Sequence, residues 1–191
     1  TIKLKNTRFN KSKQHIAYIT MPGSGAETSS TAVLNFNGLK CFFHSDILSP
    51  DHIVYLPNLV KNFDHKSMIY SYMDSFTHGV ESLCSPLKNT LSENFSINVI
   101  NIVTNLINDD IKFLVLNTRE NRKKLILASF YGGLAQSNAG SGLAHALAHA
   151  SEQLFKVSHR EAISHFSYTA FRHNIFNNDN LYIDKKVDKE V

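Results

Sequence analysis

The sequence predicts a mainly helical protein with a small β portion in front of the helices. In the first 64 residues, short runs rich in β-branched and aromatic residues alternate with turn-forming clusters. After residue 65, apolar residues recur at spacings of three and four, as they do on the buried face of a helix. We therefore divide the chain into a β-rich segment (1–64), a helical domain (65–176) and a polar tail (177–191).

The β portion contains four candidate strands. They are HIAYIT (15–20), TAVLNF (31–36), KCFFHS (40–45) and HIVYL (52–56). Asn37 and Gly38 stand between the second and third of these runs, and both residue types tolerate the positive φ angles of a tight turn. The sequence therefore predicts a β-hairpin in which Phe36 and Leu39 flank the turn.

Five helices are expected in the second part of the chain. Their predicted bounds are 66–83, 91–107, 119–137, 141–156 and 158–174. Ser85 and Pro86 separate the first helix from the second, and the stretch 138–140 separates the third from the fourth. Ser141 is the expected N-cap of the fourth helix, because a serine hydroxyl can accept a backbone N–H at a helix start.

Composition is that of an ordinary globular protein and argues against several classes. The chain has 191 residues, of which 42% are hydrophobic, and a net charge of +4. Basic residues are frequent in the first thirteen positions, but a solvated surface explains them better than nucleic acid does, so no nucleic-acid partner is expected. The apolar runs are too short to span a membrane, so no membrane association is expected. Two cysteines without a CxxC motif favour a reducing compartment, and we expect a cytoplasmic protein.

One carboxylate and three imidazoles in this chain have the chemistry of a ligand set for a divalent transition metal. They are Asp74, His78, His145 and His159. Asp74 and His78 are four residues apart in a helical segment and so project from one face, although such a pair alone is more often a surface hydrogen bond. His145 and His149 have the same spacing, and two buried histidines bonded to backbone carbonyls are the alternative interpretation. Since no HExxH motif occurs, a zinc protease would lack its general base.

These motifs resemble those of the iron-containing (group III) alcohol dehydrogenases. Asp74-Ser-Phe-Thr-His78-Gly-Val-Glu81 is similar to the family's D-A-L-T-H-A-I-E segment, and Gly142-Leu-Ala-His145-Ala-Leu-Ala-His149 is similar to its H-x-x-x-H helix. His159 follows His145 by fourteen residues, as the family's last metal ligand does. The resemblance extends over residues 14–174. It implies a dehydroquinate synthase-like, iron-containing alcohol dehydrogenase architecture in a truncated form.

The resemblance implies a metal-dependent, NAD(P)-linked oxidoreductase that interconverts an alcohol and an aldehyde or ketone. It implies Fe²⁺ or Zn²⁺ on Asp74, His78, His145 and His159, and a proton relay to solvent through His149. Gly23-Ser-Gly-Ala-Glu27 is similar to the family's T-T-x-G-T-G-S-E nucleotide loop. The residues expected to contact NAD or NADP are Thr20, Gly23, Ser24, Gly25 and Lys40.

The chain departs from the family pattern before its first strand and in the nucleotide loop. The family's G-G-G-S-x-x-D segment, which binds the cofactor pyrophosphate, does not occur, so we expect the nucleotide-binding half to precede residue 14. Residues 1–64 would then be a remnant of that domain's edge. Because the chain begins at Thr1, its natural N-terminus is also expected upstream. Met21 and Pro22 replace the usual Thr and Ala, and the family's helical domain continues beyond Val191.

A further departure lies beside the last expected metal ligand. Ser158 and Arg160 flank His159, whereas the family has Pro and Gly there. A guanidinium beside a cation site must turn away, pair with an acid such as Glu161, or receive an anionic substrate.

Two functional interpretations from different classes remain on the sequence alone. The first is a dehydrogenase or aldehyde reductase acting on a small-molecule alcohol or aldehyde, with a homodimer as an open option. The second is a truncated, catalytically impaired relative that acts as a metal-binding or structural and interaction module. A lyase like the zinc-dependent dehydroquinate synthases fits less well, because the motifs resemble the dehydrogenase branch. Retention of all four ligands favours the first, since a ligand set without its ion leaves buried polar groups unpaired.

Overall fold

Four short strands precede five helices in the computed structural model, which describes residues 13–36, 39–60, 62, 64–108 and 118–176. The strands are β1 (Ile16–Ile19), β2 (Thr31–Phe36), β3 (Leu39–His44) and β4 (His52–Tyr55). The helices are α1 (His65–Leu83), α2 (Thr90–Asn108), α3 (Arg119–Ala139), α4 (Leu143–Phe155) and α5 (His159–Phe176). The predicted fold class, mainly helical with a small β portion in front, is confirmed. The polar tail 177–191 lies outside the described residues.

The strands form two separate two-stranded sheets. β2 and β3 are antiparallel with Phe36 opposite Leu39, which is the predicted hairpin register. The turn residues, Asn37 and Gly38, lie outside the described residues. β1 and β4 are parallel with Ile16 opposite His52, a long-range pairing that the strand pattern did not predict.

The helices enclose a core between α1, α2 and α3. Its centre consists of completely or almost completely buried side chains from these helices and from the short turn before α1: Val60, Met68, Val99, Val103 and Leu125. Complete burial of each such side chain stabilises the fold by about 1.5–3 kcal/mol. The pair α4 and α5 packs against α1 on another side, with Ala148, Ala162 and Ile163 buried between the two helices. This arrangement brings the middle of α1 against the starts of α4 and α5.

Helix bounds agree with the apolar spacing to within two residues, except for the way α4 begins. The prediction that Ser141 caps this helix was wrong, because Gly142 occupies the N-cap position and no side-chain cap is formed there. Instead, the Glu81 carboxylate of α1 accepts hydrogen bonds from Gly142 N (2.7 Å) and Ala144 N (2.6 Å). An ionised carboxylate binds the exposed N–H groups of a helix start more strongly than a hydroxyl does.

None of the helices that the structure describes combines the length and the apolar character needed to cross a lipid bilayer.

Candidate metal centre

Asp74 lies in the middle of α1, and its carboxylate is completely buried. Neither carboxylate oxygen makes a hydrogen bond to any described residue. His145 Nε2 lies 3.5 Å from Oδ1, and His78 Nδ1 lies 3.9 Å from the same oxygen. Because a buried carboxylate without a donor is costly, this arrangement fits a cation between Asp74 and the imidazoles.

The structure brings the three predicted imidazole ligands to this carboxylate from three helices. One potential ligand atom from each of Asp74, His145 and His159 lies within 4.8 Å of the other two. His78 lies beside this group, with its ring stacked on that of His145 at 4.2 Å between centroids. The inward nitrogens His78 Nδ1 and His145 Nε2 are buried without a hydrogen-bond partner among the described residues. Imidazole nitrogens that have no hydrogen-bond partner and lie beside a buried carboxylate are suited to bind Fe²⁺ or Zn²⁺.

Glu81 fixes the orientation of His145. Its Oε2 atom lies 2.6 Å from His145 Nδ1, so the opposite nitrogen, Nε2, faces Asp74. In the sequence, Glu81 is the last residue of the motif that begins at Asp74, and no role was predicted for it. A helical signal was available, because Glu81 follows Asp74 by seven residues, or two turns, on the same face of α1.

The charges of the site favour a cation. Burial would raise the pKa of Asp74, but His145 and His78 beside it hold that pKa below its usual value. Burial, reinforced by His145, lowers the pKa of His78, so this imidazole is neutral. Burial opposes protonation of His145, but Asp74 and Glu81 outweigh it and raise the His145 pKa. Two carboxylates and one imidazolium leave a net negative site, and a metal ion would displace the His145 proton.

His149 lies one turn after His145 on α4, at the edge of the site. Its ring stacks on that of His159 at 4.8 Å and meets the edge of Phe42 of β3 at 5.1 Å. Glu152, which the sequence analysis did not single out, approaches both imidazoles from α4. Its Oε1 atom lies 2.6 Å from His159 Nδ1.

The site opens into a cleft of about 630 Å³ between the β2–β3 hairpin and the helices. The imidazoles that line it are His44, His78, His145, His149 and His159. Ser24 and Phe42 line it as well. A volume of this size is in the range of small-molecule sites in proteins.

The predicted nucleotide loop, residues 23–25, is held against α3 and is called the glycine loop below. The backbone N–H groups of Gly23 and Gly25 both donate to Ser129 Oγ, at 2.8 and 3.1 Å. Gly25 has φ 61°, and a Cβ atom there would lie 2.4 Å from Gly133 Cα, so this position of the loop requires glycine. The two amides are therefore not available to a nucleotide phosphate in this conformation.

The other predicted nucleotide contacts lie at different places. Thr20 and Ser24 line a second cleft of about 460 Å³ next to β1. Lys40 is opposite Asn35 in the β2–β3 register, and its side chain lies outside the described residues. The roles of all five residues in binding NAD(P) stay predictions.

Arg160 is directed toward α1 and the residues before the glycine loop. Its Nη1 atom donates to Ser71 Oγ at 2.9 Å, and its Nη2 atom contacts Met21 Sδ. Glu161 faces Lys66 of α1, with 3.8 Å between Oε1 and Nζ. The first turn of α5, where His159 lies, is thus attached to α1 by two side chains.

The family assignment follows from a match over most of the helical part of the chain. Residues 68–186 match the Fe-containing alcohol dehydrogenase family, C-terminal domain. The chain belongs to the iron-containing alcohol dehydrogenase family. The match includes all four proposed ligands and the helices that carry them.

Individual relatives agree with this assignment. The chain is 28% identical over 158 residues to the 4-hydroxybutyrate dehydrogenase of Clostridium kluyveri, covering 80% of this chain and 42% of that protein. It is 26% identical over 148 residues to the NAD-dependent methanol dehydrogenase of Bacillus methanolicus, covering 75% and 38%. Among solved structures, a 1,3-propanediol oxidoreductase has the same fold, with a TM-score of 0.82, 23% identity, and coverage of 90% and 45%. The chain spans less than half the length of these relatives.

Proposed function

We propose that the intact protein is a metal-dependent, NAD(P)-linked oxidoreductase that interconverts an alcohol and an aldehyde or ketone. The proposal rests chiefly on the buried Asp74 carboxylate, whose oxygens have no hydrogen-bond partner among the described residues and face histidine rings. Family membership supports the same class of reaction, and two relatives carry the names of alcohol-oxidising dehydrogenases.

Asp74, His78, His145 and His159 would hold Fe²⁺ or Zn²⁺, because a carboxylate with three imidazoles suits either ion. When bound, the ion would supply Lewis-acid polarisation of the substrate oxygen. His78, being neutral, is ready to bind a cation without losing a proton. Glu81 keeps the His145 ring oriented by accepting from Nδ1.

His149 is proposed to relay a proton between the substrate and solvent. It lines the same cleft as the ligands and lies beside His159, and about a quarter of its side chain is exposed (26%). An imidazole that reaches both the reacting group and water is suited to general acid–base catalysis near neutral pH. Thr20 and Ser24, which line the neighbouring cleft, are proposed to contact the nicotinamide nucleotide.

Metal analysis tests the proposal directly. Purified protein loaded with Fe²⁺ without oxygen, or with Zn²⁺, is expected to retain about one ion per chain after gel filtration. His145→Ala should lose the ion, while His165→Ala, which removes an exposed imidazole of α5, should retain it. Absence of metal in the wild type, or equal retention in both variants, would refute the metal site.

Turnover then distinguishes the enzyme from the metal-binding module. The intact protein, loaded with metal and assayed with a panel of small primary alcohols and NAD⁺ or NADP⁺, should form reduced nucleotide. Retained metal without any turnover would favour the catalytically impaired alternative.

A further inference from the structure

Glu152 of α4 lies between two imidazoles of the candidate site. Its Oε1 atom is 2.6 Å from His159 Nδ1 and 3.4 Å from His149 Nδ1. The Glu152 side chain is only 13% exposed, so the carboxylate is largely withdrawn from water. The three residues could also hold a cation themselves, since one ligand atom of each lies within 4.8 Å of the others.

The distances decide between a second cation and a hydrogen bond. An ion bound tetrahedrally at about 2.1 Å holds its ligand atoms about 3.4 Å apart. The 2.6 Å between Glu152 Oε1 and His159 Nδ1 is far shorter than that separation and is the length of a charge-assisted hydrogen bond. A carboxylate accepts only, so Nδ1 of His159 carries the proton and Nε2 is the nitrogen left to bind a metal.

His159 needs such support more than the other ligands do. It is the first residue of α5 and follows a connection in which Lys156 has a left-handed φ of 55°. Its side chain is 28% exposed, whereas those of His78 and His145 are 4% exposed. Surrounding side chains therefore restrict its ring less, and a specific acceptor has more influence on the orientation.

We propose that Glu152 is a positioning residue that fixes His159 with Nε2 toward the metal. The inference rests on the metal site proposed above. It makes His159 the counterpart of His145, whose Nδ1 faces Glu81 at the same distance of 2.6 Å. Each of these two ligands is then held by its own glutamate, one from α1 and one from α4.

Zn²⁺ affinity, measured by competition with a chromogenic chelator, tests this role. Glu152→Ala is expected to weaken Zn²⁺ binding by about 10- to 100-fold, as removal of a partner of a metal-binding histidine does. Glu152→Gln should recover much of the loss, because its amide oxygen still accepts the Nδ1 proton. Glu161→Gln is the matched control, since it removes a carboxylate two residues from His159 that faces Lys66 instead. Its affinity should be unchanged, and equal loss in the control would overturn the proposal in favour of a general charge effect.

Two further readouts separate this proposal from a structural role and from the metal site itself. In the metal-free protein at mildly alkaline pH, ¹⁵N chemical shifts should show that His159 carries its proton on Nδ1. In Glu152→Ala, part of the population should carry the proton on Nε2 instead, while the thermal stability of the variant stays unchanged. An unchanged tautomer would overturn the proposal. Two Zn²⁺ ions per wild-type chain, one of them lost in Glu152→Ala, would also overturn it and make Glu152 a ligand. A wild-type chain that binds no Zn²⁺ would refute the metal site, while the tautomer would still decide whether Glu152 fixes the ring.

Discussion

Replacement of Glu81 by glutamine should destabilise the protein strongly although the two side chains have the same shape. Glu81 is buried, and both oxygens accept hydrogen bonds: Oε1 from Ala144 N and, at 3.4 Å, from His145 N, and Oε2 from Gly142 N and His145 Nδ1. Glutamine has one oxygen and one NH₂ group. In its better orientation it keeps the two bonds at Oε2 and turns its NH₂ toward the backbone N–H groups of Ala144 and His145.

The magnitude follows from that count. The short charge-assisted bond from Ala144 N is lost, worth about 1.5–3 kcal/mol, together with the long bond from His145 N, and the Ala144 donor left facing another donor adds a desolvation cost of about 1–3 kcal/mol. Since relaxation offsets part of this, we expect the free energy of unfolding to fall by about 2–4 kcal/mol. Urea denaturation of the metal-free protein, followed by circular dichroism, measures the change.

Glu120→Gln is the control for the same chemical change at an exposed position. Glu120 lies in the first turn of α3 and its side chain is 67% exposed, so its replacement should leave the urea midpoint unchanged. A loss of less than about 0.5 kcal/mol in Glu81→Gln would refute the assignment of Glu81 as a charged acceptor for four donors.

Three other perturbations address the core, the start of α1 and the glycine loop. Leu125→Ala should lower the free energy of unfolding by about 2–5 kcal/mol because it leaves a cavity in a fully buried site, and Leu127→Ala, on the same helix but 46% exposed, should cost much less. Hydrogen bonds from the Ser67 hydroxyl and amide lower the pKa of Asp64, the N-cap of α1. The ionised Asp64 therefore stabilises the fold fully above its unfolded-state pKa, and this contribution is lost as the pH falls through its folded-state pKa. Asp64→Asn should therefore flatten the acid limb of a stability–pH curve, and an unchanged limb would contradict this linkage. The chain alone should bind NAD(P) weakly or not at all, because Ser129 already accepts from both glycine-loop amides, and a titration that gives micromolar affinity would contradict that reasoning.

The fold could be predicted where the signal is local. Apolar spacing gave all five helices to within two residues at each end, and the two-residue turn signal gave the register of β2 and β3. The pairing of β1 with β4 joins segments separated by more than thirty residues, and nothing in either strand specifies its partner. The start of α4 was assigned the wrong cap for the same reason, because its acceptor comes from another helix.

The site residues, too, could be predicted from local sequence signals, whereas the residues that support them through tertiary contacts could not. Asp74, His78, His145 and His159 were found from residue type, spacing and a family resemblance, and the structure brings them to one place. The carboxylates that hold the histidine rings were not found. In the sequence, Glu81 and Glu152 look like ordinary helical glutamates. Their role depends on contacts with Nδ1 of His145 and of His159, which the folded chain brings to them from other helices.

The carboxylate of Glu81 serves two structures that are usually separate, the first turn of a helix and the ring of a proposed metal ligand. We therefore expect a change in occupancy of the cation position to alter the hydrogen bonds that Glu81 accepts from Gly142 N and Ala144 N. Deuterium uptake at those two amides would report whether an ion is present, without a chromophore or a label in the site.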